Sequence, residues 1–204
     1  MAAVITFTDQ RMLNDTYLLV NGSEALIIDP SFSPKEVLAY IAKKKLKVLA
    51  ILLTHGHYDH FAGLKELGKE LDCPYYISGK DEGFLYDRKY SFAISLPEKK
   101  PLIYPEDQLV IGGFKLDIFA APGHTPGSVV IIWNNNMFTG DFVFCGDIGR
   151  TDLPGSDPKA MAESLAAFSG LSGDYLIYPG HEESSTLAKE KQNNPYLNRH
   201  SRYS

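Results

Sequence analysis

Val48-Leu49-Ala50-Ile51-Leu52-Leu53-Thr54-His55-Gly56-His57-Tyr58-Asp59-His60 is the stretch on which the reading of this 204-residue chain turns. Its first six residues are all apolar, a run that suits a short strand covered on both faces. Four side chains of metal-ligand type then fall within six positions, His55 to His60. Groups at the carboxyl end of a buried strand stand on a rigid support and face a crevice. His55 and His57 are two apart, so in an extended segment both imidazoles point the same way and can share one ion. Asp59 and His60 are adjacent; they diverge or lie in a turn, which suits a second ion.

The pattern around this stretch is that of an α/β layered protein. Upstream, Tyr17–Val20 and Ala25–Ile28 flank the turn Asn21-Gly22-Ser23 and read as paired strands. Ser33-Pro34-Lys35-Glu36 opens a helix, with Ser as the cap, Pro at the first position and Glu three after the cap. Lys43, Lys44, Lys45 and Lys47 gather at its far end, where cations complement the helix dipole. Downstream, Leu64, Leu67 and Leu71 mark a second helix, and Pro74–Ile77 a strand. The middle of the chain changes to hairpins: Leu109–Ile111 with Phe114–Ile118 around Gly112-Gly113, and Val129–Trp133 with Met137–Thr139 around Asn134–Asn136. A helix opens at Asp157-Pro158 with Met161, Leu165 and Phe168 inward, Tyr175–Tyr178 is a strand, and a last helix near Thr186–Gln192 leads into a polar tail. Residues 86–101 read as a loop, possible cover for a site. Tyr86, Tyr90 and Phe92 within it either cap a pocket or pack in the core, and the core is the simpler expectation.

Length predicts one domain over residues 1–204. A net charge of −5, with 44% hydrophobic and 22% charged residues, argues for a globular fold and against a general nucleic-acid binder. No apolar run approaches the ~20 residues that span a bilayer. The start does not read as a secretory signal, and two cysteines 72 positions apart suit a reducing compartment, so a cytoplasmic protein is expected.

Three further motifs place ligand-type residues just past predicted strands. They are Pro122-Gly123-His124-Thr125-Pro126-Gly127, Thr139-Gly140-Asp141 and Tyr178-Pro179-Gly180-His181. Each alone reads as a turn or cap residue. Together with the first motif, this H-x-H-x-D-H signature followed by His, Asp and His resembles the metallo-β-lactamase superfamily, from about Asn14 to His181. Gly146-Asp147-Ile148-Gly149-Arg150-Thr151-Asp152 and the small size resemble its compact glyoxalase II-like branch.

The resemblance implies a four-layer αββα sandwich with mixed sheets. It implies two divalent ions, zinc above iron or manganese: His55, His57 and His124 on the first, Asp59, His60 and His181 on the second, Asp141 bridging. It places Asp29 behind the ligands as an orienting acid, although an Asp before Pro30 also starts turns. Two ions sharing a water bring its pKa from ~15.7 toward ~7, and the resulting hydroxide attacks a carbonyl while Asp59 orients it. With the ligands assigned, His200 in the tail is the imidazole left over, and it reads as solvated. A thiolate leaves without a strong acid, since thiols ionise near ~8.5. The expected reaction is therefore hydrolysis of a small thioester such as a hydroxyacylglutathione, with neither nucleic acid nor membrane as partner.

Arg150 falls where larger glyoxalase II enzymes carry a substrate-contacting Lys. It either binds a substrate carboxylate or pairs with Asp147 or Asp152. Those enzymes also carry a helical extension that contacts glutathione; here 23 residues follow His181, with Lys189, Lys191, Arg199 and Arg202 among them. Cys145 reads as a small buried filler. The competing reaction is that of an iron persulfide dioxygenase, with His55, His124 and Asp141 around one Fe(II). Leu153-Pro154-Gly155 and Ser128 lean toward the hydrolase, and His57 speaks against diiron oxygen-reducing relatives. A non-enzymatic metal scaffold would leave the complete ligand set idle.

Overall fold

The computed structural model of the chain describes residues 2–92, 95–96, 98–106 and 108–201, the last three as backbone only. The side chains of Arg199 and His200, and Arg202 altogether, lie outside the described residues. Strands β1 (Ala2–Thr8), β2 (Asp15–Asn21), β3 (Glu24–Ile28), β4 (Lys47–Leu52), β5 (Tyr75–Ile77) and β6 (Leu102–Ile103) form one sheet in that spatial order. Strands β7 (Gln108–Ile111), β8 (Phe114–Ala120), β9 (Val129–Trp133), β10 (Asn136–Gly140), β11 (Leu176–Pro179) and β12 (Ser185–Thr186) form the second, also in sequence order. Both sheets are mixed: β3 to β6 pair in parallel in the first, β10 with β11 in the second, and the remaining neighbours run antiparallel. The helices are α1 (Pro34–Lys44), α2 (Tyr58–Phe61), α3 (Leu64–Glu70), α4 (Glu82–Tyr86), α5 (Arg88–Ser91), α6 (Pro158–Ser169), α7 (Leu187–Asn193) and α8 (Pro195–Ser201).

Alternation along the strands creates the layers. Leu26 and Ile28 of β3 face the second sheet and meet Leu19, Leu52, Phe114, Leu116, Ile131 and Phe138. Their neighbours Ala25 and Ile27 point the opposite way, onto Val37 and Ile41 of α1 and Leu64 and Leu67 of α3. On the far side, Val130, Met137 and Ile177 pack outward against Met161, Leu165, Phe168, Leu187 and Leu197. A strand apolar on both faces needs cover on both, and the result is the expected αββα sandwich.

Several local expectations give way. β1 pairs with β2 along its whole length, from Ala2 opposite Asn21 to Thr8 opposite Asp15, an edge strand that no turn signal announces. Ser33 stands before α1, but its hydroxyl donates to Asp9 Oδ2 (2.9 Å) and accepts from no N–H of the helix; the charge-assisted bond to the carboxylate fixes the side chain away from the capping position. The tail is not simply polar, because α8 buries Leu197 in the cluster under α6. Residues 86–101 hold the end of α4 and all of α5.

At one end of the sandwich the sheets are joined. Val129 N–H donates to Thr54 O (2.9 Å), Asp15 N–H to Gly180 O (2.8 Å) and Tyr17 OH to Pro179 O (2.6 Å). Strands β4, β8, β10 and β11 all deliver their carboxyl ends there. Among the described residues no helix is long and apolar enough to cross a membrane.

Candidate metal centre

Each of those four strand ends carries a piece of the ligand set. β4 runs into His55 and His57, and the single turn α2 then presents Asp59 and His60. The loop after β8 carries His124, Asp141 follows β10 directly, and His181 lies two residues past β11. The seven side chains, far apart in the chain, meet at this joined edge.

They form two clusters. The ligating atoms of His55, His57 and His124 lie within 4.8 Å of one another, and so do those of Asp59, His60 and His181. Asp141 stands between: Oδ2 is 3.5 Å from His124 Nε2 and 3.7 Å from His181 Nε2, and Oδ1 is 3.2 Å from His60 Nε2. Asp59 Oδ2 is 3.4 Å from His181 Nε2 and 3.7 Å from His60 Nε2. In the first cluster His57 Nδ1 is 2.8 Å from His124 Nε2.

The far nitrogens of the rings are held by the fold. His55 Nδ1 lies 3.1 Å from the Thr54 hydroxyl, His124 Nδ1 donates to Arg150 O (2.9 Å), and His181 Nδ1 sits 3.3 Å from Leu13 O. His60 Nδ1 meets Asp29 Oδ2 at 2.9 Å. Asp29 also accepts from Thr54, the N–H on Oδ1 (2.7 Å) and the hydroxyl on Oδ2 (2.6 Å). Its backbone is left-handed, φ 47°, a conformation that costs a non-glycine residue about 1–2 kcal/mol. Its carboxylate is thus behind the cluster, fully engaged, and more than a turn starter. Asn14, unremarked in the sequence beyond the start of the resemblance, donates to Asp59 O and accepts from Ser31 Oγ (2.5 Å).

Charge divides the two clusters. Burial, then His60, holds the His55 imidazole well below the usual histidine range. Burial and His124 bring His57 down to about 4. Burial opposes charge on His60 too, but Asp141, Asp59 and Asp29 overcome it and lift His60 well above that range. His181 is raised likewise, against burial, by Asp59 and Asp141. The acids respond in kind: against burial, Asp141 is driven well below its usual value by His60, His124 and His55, and Asp59 is lowered by His60 and His181.

The residues fit a pair of divalent cations on chemical grounds. Among the described residues, the buried side-chain atoms that have no hydrogen-bond partner are His55 Nε2, His60 Nε2 and Asp141 Oδ1. Each such group costs about 1–3 kcal/mol when unsatisfied, and all three point into the cluster. Imidazole and carboxylate together are donors suited to zinc, iron or manganese.

The cluster opens into a cleft of about 710 Å³. Tyr58, Tyr90, Phe92, Phe144, Leu153 and Pro154 line it, with Lys89 and Arg150 at its polar side. Phe92 packs on Tyr58 with ring centroids 4.4 Å apart, and Phe84 stacks on Tyr90 at 4.0 Å. Tyr90 and Phe92 are therefore cleft walls and not core, whereas Tyr86 is exposed and does not line the cleft. Arg150 does line it, yet its guanidinium donates twice to Asp152 (2.7 and 2.8 Å). Ser128 serves the turn after His124, accepting from Thr125 N–H (3.2 Å). Cys145 is not a buried filler: it is partly exposed, with Sγ 3.4 Å from Glu183 Oε1 and 3.3 Å from Lys189 Nζ.

The sequence pattern of the metallo-β-lactamase superfamily matches residues 11–181. The chain belongs to that superfamily. Hydroxyacylglutathione hydrolase GloC of Haemophilus influenzae (strain ATCC 51907 / DSM 11121 / KW20 / Rd) is 32% identical over 192 residues, covering 85% of this chain and 87% of the relative. Among solved structures, BLEG-1, a B3 metallo-β-lactamase, superposes with a TM-score of 0.88 at 29% identity, covering 96% of this chain and 99% of that one. TTHA1623 in a di-iron-bound form gives 0.84 at 35% identity, with 95% and 100% covered. The superfamily member described here thus shares its fold with a lactamase and a di-iron protein, and has a hydroxyacylglutathione hydrolase among its relatives.

Proposed function

We propose that this protein is a dinuclear metal-dependent hydrolase of small thioesters, of the glyoxalase II type. The observation that carries the reading is Asp141 standing between two three-residue clusters, with unpartnered buried atoms in both. His55, His57 and His124 would hold one ion, Asp59, His60 and His181 the other, and Asp141 both. Bound there, two divalent cations supply Lewis acidity, lowering the pKa of water toward neutrality and polarising a carbonyl.

The chain's own groups do the rest. Asp59 sits at the mouth of the cluster, where its carboxylate can accept a hydrogen bond from the attacking water and orient it. The aromatic walls formed by Tyr58, Tyr90 and Phe92 offer apolar surface beside the cluster and favour an extended, partly apolar thioester. The five clustered imidazoles would all serve as ligands, and among the described residues no further histidine lines the cleft to protonate an amine. A thiolate departs without that help, which favours thioesters over lactams. The similarity to GloC supports the same substrate class. A one-iron dioxygenase would use His55, His124 and Asp141, and metal count with oxygen uptake separates it from the hydrolase. Cys73 and Cys145, both free thiols, suit the reducing cytoplasm as the compartment.

Elemental analysis of the purified protein, alongside assays with S-lactoylglutathione and glutathione persulfide, tests this. Two zinc, iron or manganese ions per chain with thioester turnover is the expected result. One iron per chain with oxygen uptake on the persulfide overturns it.

A further inference from the structure

Asp81, just before α4, belongs to none of the motifs above, yet it is fully buried. Its carboxylate ignores its own helix. Oδ2 accepts from Gly56 N–H (2.9 Å) and Thr125 Oγ1 (2.6 Å), and Oδ1 accepts from Gly127 N–H (2.6 Å). Gly56 lies between His55 and His57; Thr125 and Gly127 follow His124. One carboxylate therefore staples the two loops that bring the first cluster together. None of these bonds reaches Asp59, His60 or His181.

The two glycines show how close the staple sits. A Cβ on Gly56 would stand 2.7 Å from Phe84 Cβ and 3.1 Å from Asp81 O. A Cβ on Gly127 would stand 2.6 Å from Asp81 Cγ. Both loops give up side chains where this residue enters. The hydroxyl of Thr125 is itself 2.7 Å from Ser128 Oγ, which extends the brace along the His124 turn.

We propose that Asp81 is the positioning residue of the first cluster, setting the spacing of the His55-Gly56-His57 loop against the His124 loop and so the affinity for one of the two ions. This rests on the dinuclear reading above. It predicts a selective effect, which a merely stabilising residue would not produce.

The test is cobalt(II) titration of the metal-free protein, followed by visible absorbance, with far-UV circular dichroism as the check on folding. In Asp81→Asn the amide can satisfy Gly56 and Thr125 only by turning its NH₂ toward Gly127 N–H, so one bond becomes a donor–donor contact. One of the two cobalt constants is expected to weaken about 10–100-fold, the range for losing an outer partner, while the other holds within about twofold. In a His57→Ala background, Asp81→Asn is expected to leave the remaining ion unchanged. Thr125→Val, which removes a single bond, is expected to weaken the same ion less, and it decides the matter should Asp81→Asn not fold. An equal loss of both ions, or no loss in these variants, overturns the proposal. Wild-type protein that binds only one cobalt ion overturns the dinuclear reading instead; the staple then stands if Asp81→Asn weakens that ion and falls if it does not.

Discussion

The two clusters meet at Asp141 but are built by different means. The first, His55, His57 and His124, is three imidazoles from two loops, and burial holds His55 and His57 below the usual histidine range. Its rings are held by the Thr54 hydroxyl on His55 and Arg150 O on His124, and its two loops are tied to each other through groups that converge on Asp81. The second, Asp59, His60 and His181, is a charged cluster whose imidazoles titrate high because carboxylates surround them. It is held by direct contact: Asp29 on His60, Asn14 on Asp59 O, Leu13 O beside His181. The lesson is that a cluster of imidazoles with no carboxylate of its own needs its two loops tied together, whereas a cluster that contains a carboxylate has ion pairs within it and needs its charges balanced.

The largest break in this comparison is Asp141→Ala, because one carboxylate faces both sides. That variant is expected to hold at most one ion per chain and to lose thioester turnover by more than the ~10–100-fold attached to an outer partner. Metal content and kcat/KM measure it, and two tightly held ions would remove Asp141 from the shared position.

Asp29→Asn should separate the clusters. Its carboxylate touches His60 itself but reaches His55 only through Thr54. The ion of the second cluster is expected to weaken about 10–100-fold and that of the first by less, the opposite preference to Asp81→Asn. Cobalt titration of the two variants side by side reads the contrast.

A milder probe lies farther back. Asp9 anchors the turn that carries Leu13 and Asn14 to the second cluster. Burial alone would raise its pKa; the guanidinium and N–H of Arg11, the Ser33 hydroxyl and Met12 N–H outweigh burial and bring it to about 2, from an ordinary 3.8. A depressed carboxylate stabilises the fold above its ordinary pKa, and that contribution disappears as pH falls through the folded value. Asp9→Asn should therefore cost about 1–3 kcal/mol near neutrality, with the gap to wild type closing between about 3.8 and about 2. Denaturant unfolding across that range checks the sign.

The smallest effect belongs to Arg150→Ala. The guanidinium is exposed and already paired with Asp152, and solvent screens such a surface pair. A rise in KM of up to about fivefold with kcat nearly unchanged is expected if Arg150 only holds substrate. A fall in kcat alone would point instead to a structural or transition-state role.

Much of the fold was legible because local pattern and environment agree. The run Val48–Leu53 is a strand covered on both sides, Asp157 does cap α6 through Lys159 and Ala160 N–H, and Gly112-Gly113 does turn a hairpin. β1 was missed, although five of its seven residues are apolar, because no turn signal marks the reversal into β2, and α4 and α5 because single turns carry no periodicity. Leu197 was missed because one buried residue in a polar tail has no pattern at all.

The ligand-type residues were legible since each sits next to a strand end with its own motif. Of their supports, Asp29 was named by the resemblance; Asp81, Asn14 and Leu13 O were not, because they act through backbone groups, which every residue possesses. Sequence alone determined which side chains this protein places at its strand ends, and hence the family of chemistry open to it. Only the tertiary structure decided how closely the two ligand sets approach each other, that Asp81 ties the loops of the first, and which aromatics wall the cleft. The physical reason is that a strand's own pattern sets where its end faces, while the distance between two strand ends depends on contacts between segments far apart in the chain.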